Sequence, residues 1–201
     1  MKRIIFATKN KGKIAEINDI MKDLNVEVVS MEEAGIHMDI VEDGTTFEEN
    51  AIIKVKEIMK ITDDIVMADD SGLEIDFLNK APGVHSARFE GENTPYDIKN
   101  NKILNMLSGV PDEKRTARFV CVIAAGFPGG EIITTKGTIE GRIGYEIKGE
   151  NGFGYDPIFY VPEYDMTTAQ MPRDLKNKIS HRAKALEKMK RELKMRLGET
   201  K

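Results

Sequence analysis

The first apolar run of the chain, "RIIFA" (Arg3 to Ala7), is short and unbroken, as in strands buried on both faces. Ile14, Ile17, Ile20 and Leu24 then recur at steps of three and four, which predicts an amphipathic helix, and "VEVVS" predicts a second strand. Strand, loop, helix and strand in this order assemble by default as a right-handed crossover between parallel strands. The loop "TKNKGK" (Thr8 to Lys13) then lies at the carboxyl end of a strand and the amino end of a helix, the edge where open α/β sheets bind ligands.

Helical spacing resumes with Ala51, Val55 and Ile58, and Thr46 with Glu49 fits a capping box. The apolar run "DIVMA" is expected to end at "DDSGL". A turn at "APG", a helix near Asp97 to Leu107, and two strands, "ARFVCVIAA" and "EIITTKGTI", follow. The glycine-rich "GFPGG" between those strands predicts a hairpin connection. "KGENGFGYDPIF" reads as a glycine-punctuated loop entering a short apolar stretch, and Leu186, Met189, Leu193 and Leu197 form the stripe of a C-terminal helix. With no repeat, low-complexity tract or linker, the expectation is one domain over 1–201.

Composition narrows the classes. A chain of 201 residues buries a sizeable core without disulfides, and its one cysteine, Cys121, sits in a core-like apolar run. That pattern points to a reducing compartment. No apolar stretch approaches the roughly 20 residues that span a bilayer, and the N-terminus enters a strand pattern without a signal-like segment, so a cytoplasmic protein is expected. The formal net charge of -4 gives no global attraction to nucleic acid; a polyanion has to be met locally.

Polar residues gather where elements end, in five segments: "TKNKGK", "VEDG" around Glu42, "ADDSG" around Asp69 and Asp70, "GFGYDP" (Gly152 to Pro157) and "KNKISHR" (Lys176 to Arg182). Each alone has a plain structural explanation. Asp69 and Ser71 suit turns or caps, Glu42 a solvated loop, Phe153 and Tyr155 a core, and His181 a surface. Together they carry chemistry: Lys9, Lys11, Lys13, Lys176 and Arg182 are cationic, and a loop opening a helix adds backbone N–H groups for an anion such as phosphate. The segment is not GxxxxGK[ST], which excludes a P-loop NTPase. Glu42 and Asp70 supply hard oxygens suited to Mg2+, which usually takes one or two carboxylates plus substrate phosphates.

The ordered set "TKNKGK", "EDGTTFEENA", "ADDSGL", "APGVHSAR", "GFGYDPIF" and "ISHRAKAL" resembles the noncanonical purine nucleoside triphosphate pyrophosphatases, also called inosine/xanthosine triphosphate pyrophosphatases. The resemblance runs from Phe6 to about Leu186. It implies an α/β fold with a mixed central β-sheet flanked by helices, two lobes around a substrate cleft, and a homodimer. It also implies Mg2+-dependent hydrolysis of ITP, dITP and XTP to the monophosphate and pyrophosphate. Residue by residue, it implies that the loop of Thr8, Lys9, Asn10, Lys11, Gly12 and Lys13 grips the triphosphate. Glu42 and Asp70 hold the metal, Asp70 also serves as general base, and Ser71 touches substrate. Phe153, Gly154, Tyr155 and Asp156 frame the base and sugar, and Lys176, His181 and Arg182 complete the contacts. One departure is Gln170 in "TTAQM", where relatives usually carry an acid.

In the implied chemistry a metal and cations neutralise the triphosphate, and a carboxylate prepares water to attack the α-phosphorus. Rejection of adenine has to come from the six-position carbonyl of the base, where adenine carries an amino group, and exclusion of guanine, which shares the carbonyl, from its two-amino group. Three rival readings are a silent nucleotide-binding module, a pyrophosphatase of other triphosphates, and an RNA-binding protein. The first is expected to lack Glu42, Asp70 or Lys13, all of which are present; the last is disfavoured by the acidic charge and the lack of stacking aromatics.

Overall fold

The structure, a computed structural model, describes residues 2–8 and 11–198. Its described strands are β1 (Lys2–Phe6), β2 (Val26–Ser30), β3 (Ile65–Ile75), β4 (Thr116–Gly126), β5 (Ile132–Ile143), β6 (Phe159–Val161) and β7 (Met166–Thr167). They form one sheet in the order β2-β1-β3-β4-β5-β6-β7. β1 runs parallel to β2, from Lys2 opposite Val26 to Phe6 opposite Ser30, and parallel to β3, with Ile4 opposite Ile65. β6 is antiparallel to β5 and to β7, so the sheet is mixed. The helices are α1 (Lys11–Met21), α2 (Phe47–Met59), α3 (Tyr96–Met106), α4 (Arg173–Ile179) and α5 (His181–Leu197). None of them is long and apolar enough to cross a membrane.

The strand order reverses at β1: the chain moves to β2 on one side of it and then to β3 on the other. The carboxyl end of β1, opposite Met67 of β3, therefore lies at a topological switch point, the position at which open α/β sheets bind ligands. β3 differs from the sequence expectation. It does not stop at Asp69 but continues through Asp70, Ser71 and Gly72 to Ile75, because strand preference follows the neighbours a side chain meets more than its polarity.

The chain forms two compact units, one of Met1–Asp70, Cys121–Gly137 and Arg182–Lys201, the other of Ser71–Val120 and Thr138–His181. β3, β4 and β5 each run from one unit into the other. The first unit packs Ile4 and Phe6 of β1, Ile17 and Ile20 of α1, Met67 of β3, and Leu186, Met189 and Leu193 of α5 into one core. These are the stripes read from the sequence, and burying each such leucine or isoleucine contributes roughly 1.5–3 kcal/mol. Cys121 is buried in the same core. Lys190 of α5, buried along its stem, donates to the Ile20 carbonyl at 3.0 Å and so satisfies the C-terminal end of α1. α2 starts on the expected capping box, with the Thr46 side chain accepting from the Glu49 N–H at 3.1 Å and Glu49 reaching back to the Thr46 N–H.

The second unit has its own core, which includes Leu73, Ile75, Ile103, Leu107, Phe119 and Phe159. Its largest buried polar anchor is Arg115, whose guanidinium donates to the carbonyls of Leu107 (2.6 Å), Ile143 (2.8 Å) and Gly144 (2.5 Å). The bond to Leu107 closes the C-terminal end of α3, as a buried helix end requires.

The turn "GFPGG" closes between β4 and β5 with the Phe127 N–H on the Glu131 carbonyl, 2.9 Å. Just before it, Gly126 is a packing requirement: a Cβ there would stand 2.5 Å from Val55 Cγ1 and 2.2 Å from Met59 Sδ. Gly126→Ala is therefore expected to lower stability by about 1–3 kcal/mol through overpacking, measured as a lower urea midpoint at unchanged slope.

Candidate active site

Consecutive strand residues project to opposite faces, and β3 uses this at Asp69 and Asp70. Ile65 and Met67 lie in the core built with α1 and α5, and Asp69, two residues on, faces the same elements. Asp70 faces the other way, toward α2. One peptide bond thus separates two carboxylates with different surroundings.

Asp69 is almost fully buried. Lys13, from the first turn of α1, approaches its two oxygens at 3.0 and 2.9 Å, and Arg182, from the first turn of α5, places Nε 3.4 Å from Oδ2. Burial alone would push this carboxyl up, but the charges of Lys13, Arg182 and Lys54 outweigh it and hold Asp69 well below the usual carboxylate range. Its role is to gather cations.

Asp70 accepts a hydrogen bond from Asn50 Nδ2 at 3.1 Å, and Asn50 Oδ1 in turn accepts the Gly44 N–H at 2.8 Å. The second bond fixes the loop after Glu42, and Gly44 has to be glycine: a Cβ would meet Asn50 Oδ1 at 2.6 Å. Lys54, one turn further along α2, puts Nζ 2.9 Å from Glu42 Oε2 and 3.9 Å from Asp70 Oδ1. Burial would lower the Lys54 ammonium, yet Asp70, Asp69 and Glu42 together raise it, so it stays charged. Burial has the opposite outcome at Asp70: it is the largest influence, Lys54 and Asn50 only partly offset it, and the carboxyl is pushed up to about 6. Glu42 and Asp70 are two hard oxygen donors drawn toward one point. Two hard oxygen donors would suit an ion that takes its remaining ligands from phosphate and water, as Mg2+ does.

In the second unit the "GFGYDP" loop is organised by Asp156. Its carboxylate accepts the Phe153 N–H (2.8 Å), Lys176 Nζ (2.6 Å) and the Thr168 hydroxyl (2.8 Å). A Cβ at Gly152, whose φ is +78°, would lie 2.2 Å from Asp156 Oδ2, so glycine is needed on conformational and steric grounds. Tyr155 is buried; its hydroxyl donates to the Ser86 carbonyl at 2.7 Å and its ring meets Tyr96 edge-on. Phe153 instead is exposed, with Lys176 Nζ 4.9 Å from its ring centre.

The first unit accordingly gathers Lys13, Glu42, Asp70 and Arg182 with Asp69, and it places Thr8 at the end of β1, its N–H on the Phe6 carbonyl at 2.8 Å. Lys9 and Asn10 lie outside the described residues; Lys11 and Gly12 open α1, and their side chains are outside the description. The second unit gathers Phe153, Gly154, Tyr155, Asp156 and Lys176. Ser71 is half-buried in β3, and His181 is buried, stacked on Phe119 at 4.9 Å. Gln170 accepts the Thr167 N–H at 2.9 Å, a turn contact that an acidic residue could equally make. Sequence reasoning missed Asn50 and Lys54; their spacing of four in "NAIIK", on the helix after Glu42, was the available signal.

A family model described as the Ham1 family matches residues 4–192. A dITP/XTP pyrophosphatase of Clostridium perfringens is 50% identical over 200 residues, 96% of this chain and 98% of its own. One from Bacillus subtilis (strain 168) is 48% identical over 189 residues, 94% of this chain and 96% of its own. Among solved structures, the Ham1 protein of Staphylococcus aureus is 43% identical with a TM-score of 0.87, over 99% of this chain and 100% of the other. A HAM1 protein from Coxiella burnetii is 41% identical with a TM-score of 0.89, over the whole of both chains. The likeness thus spans the mixed sheet, its flanking helices and every segment carrying the polar clusters.

Asp69→Asn is expected to cost about 3–5 kcal/mol, since it removes a buried charge on which the part-buried Lys13 and the buried Arg182 meet. The folded carboxyl lies below its unfolded value of about 4, so the stabilisation is present above that pH and fades as the pH falls further. Urea unfolding of both proteins at pH 3 and pH 7 measures this: their difference should shrink toward the lower pH.

Proposed function

The chain belongs to the Ham1 family, and on that premise we propose that it hydrolyses noncanonical purine nucleoside triphosphates, dITP, ITP and XTP, to the monophosphate and pyrophosphate. The observation that carries this reading is the pairing of Glu42 and Asp70 on one buried ammonium, Lys54, beside a second group in which Lys13 and Arg182 meet on Asp69. We assign phosphate chemistry to these residues and base recognition to the loop of Phe153, Gly154, Tyr155 and Asp156 with Lys176.

Glu42 and Asp70 would hold Mg2+, which supplies positive charge against phosphate oxygens and makes water more acidic. Asp70 is suited to the base role by its own surroundings. Asn50 fixes one carboxylate oxygen, and in a site without a bound ion burial raises the group's proton affinity. Attack at the α-phosphorus then releases pyrophosphate. Lys54 keeps the two carboxylates together by charge, and Lys13, with Arg182, brings positive charge to the phosphates. Cys121 is closed in the core, so the reaction assigns it no nucleophilic part.

Discrimination from adenine rests on the six-position carbonyl of the base, and discrimination from guanine, which shares that carbonyl, on guanine's two-amino group. A donor aimed at that oxygen rejects adenine, whose amino group would leave two donors facing each other. Phe153 supports this assignment as an exposed ring on which a purine can stack, with the Lys176 ammonium close by. A homodimer in the cytoplasm is the accompanying proposal, checked by light scattering on the purified protein and by cell fractionation.

The test of the reaction is product analysis. With Mg2+ and ITP, dITP or XTP the protein is expected to yield monophosphate and pyrophosphate; orthophosphate with the diphosphate left behind would refute attack at the α-phosphorus. Asp70→Asn keeps the shape but removes charge and basicity, and it should lower kcat by about a hundredfold or more while the melting temperature holds.

A further inference from the structure

Helix α3 turns Lys99, Asn100 and Ile103 inward. Asn100 is 2% exposed, and its Nδ2 donates to the Gly154 carbonyl at 3.1 Å. The carbonyl partner fixes which end of the carboxamide is the nitrogen. Oδ1, equally buried, has no hydrogen-bond partner among the described residues. For stability alone the carboxamide is no clear gain: it satisfies the Gly154 carbonyl but buries an orphan acceptor of its own, which a leucine of nearly the same shape would not.

What the carboxamide adds is direction. Gly154 lies between Phe153, whose ring is exposed, and Tyr155, whose ring is buried, and its φ of +69° is open to few residues other than glycine. Both neighbours are held independently, Phe153 by its N–H on Asp156 and Tyr155 by its hydroxyl on Ser86 and its ring against Tyr96. Gly154 has no side chain to hold it. Its peptide plane is set by its carbonyl on Asn100, and since the peptide is planar and trans, this also turns the Tyr155 N–H to the opposite side. Lys99 makes the support rigid. Its Nζ donates to the Ala87 carbonyl at 2.6 Å and lies 4.9 Å from the centre of the Tyr96 ring.

We infer that Asn100 is a positioning residue for nucleobase selectivity, acting through the Gly154 peptide of the loop that presents Phe153. The inference rests on the assignment of that loop to base recognition. Asn100 touches no reacting atom, so its loss should change which base is accepted and how tightly, and leave the chemical step largely intact.

The experiment compares the wild type with Asn100→Leu, using kcat and KM for ITP and for GTP in Mg2+ together with a thermal melt. In Asn100→Leu the KM for ITP should rise about tenfold, the ITP-over-GTP ratio of kcat/KM should fall about tenfold or more, and kcat for ITP should stay within about threefold. The melt should fall only modestly, because the variant removes the orphan Oδ1 while taking the donor from the part-buried Gly154 carbonyl. If Asn100→Leu does not fold, Asn100→Asp is measured instead: it keeps the shape and replaces the donor with an acceptor facing the Gly154 carbonyl, and the same changes are expected. Unchanged KM and selectivity, or a loss confined to kcat and the melt, would overturn the positioning role while leaving the activity standing. A wild type that releases no pyrophosphate from ITP, dITP or XTP would overturn the functional reading and this inference with it.

Discussion

The first unit is organised around a charge that water cannot reach. Asp69 sits inside β3 with its carboxylate buried, and an uncompensated carboxylate there would be strongly disfavoured. Lys13 and Arg182 answer it from the first turns of α1 and α5. Two helices far apart in the sequence are thereby set in rotation and register against the same strand residue. The contact also determines where two cations stand, and this matters more to function than any net gain in stability, since a buried ion pair often contributes little over an apolar replacement.

Asp70 acquires a contrasting character from the alternation of the strand. Its neighbour, the more deeply buried of the two, is held ionised by Lys13 and Arg182, whereas at Asp70 a lysine at 3.9 Å and a hydrogen bond from the Asn50 amide only partly offset burial. Two chemically identical groups therefore differ in proton affinity, one kept charged and the other pushed up to about 6. Environments that separate the affinities of adjacent carboxylates are how a site divides anchoring from acid–base work. Lys54 completes the arrangement as a resident cation shared by Glu42 and Asp70.

The second unit solves a different problem, that of holding a glycine-rich loop in one shape. Asp156 spends its carboxylate inward on Phe153, Thr168 and Lys176, while Tyr155 is tied to Ser86. The loop's buried members are a frame, and its exposed ring, Phe153, is what the frame displays. A residue assigned to ligand contact by motif can thus serve by fixing its neighbours, as Asp156 does.

The local patterns of the sequence determined much of this. Unbroken apolar runs marked β1 and β4, steps of three and four marked α1 and α5, and Thr46 with Glu49 marked the start of α2; each depends on residues only a few positions apart. The same reading named Lys13, Glu42, Asp70, Phe153 and Lys176, because charged and aromatic residues at element ends are visible in a linear string. It expected β3 to end at Asp69, because aspartate, serine and glycine in a row resemble a turn until their partners are known. It missed Asn50, Lys54 and Asn100, which read as ordinary polar positions on helices. Only the tertiary structure decided that Asp69 anchors two cations, that Asp70 answers to α2, and that Asn100 holds the carbonyl of Gly154. The reason is physical: burial and the charge of a neighbour set what a polar group does, and both arise from contacts between segments that the sequence keeps tens to more than a hundred residues apart.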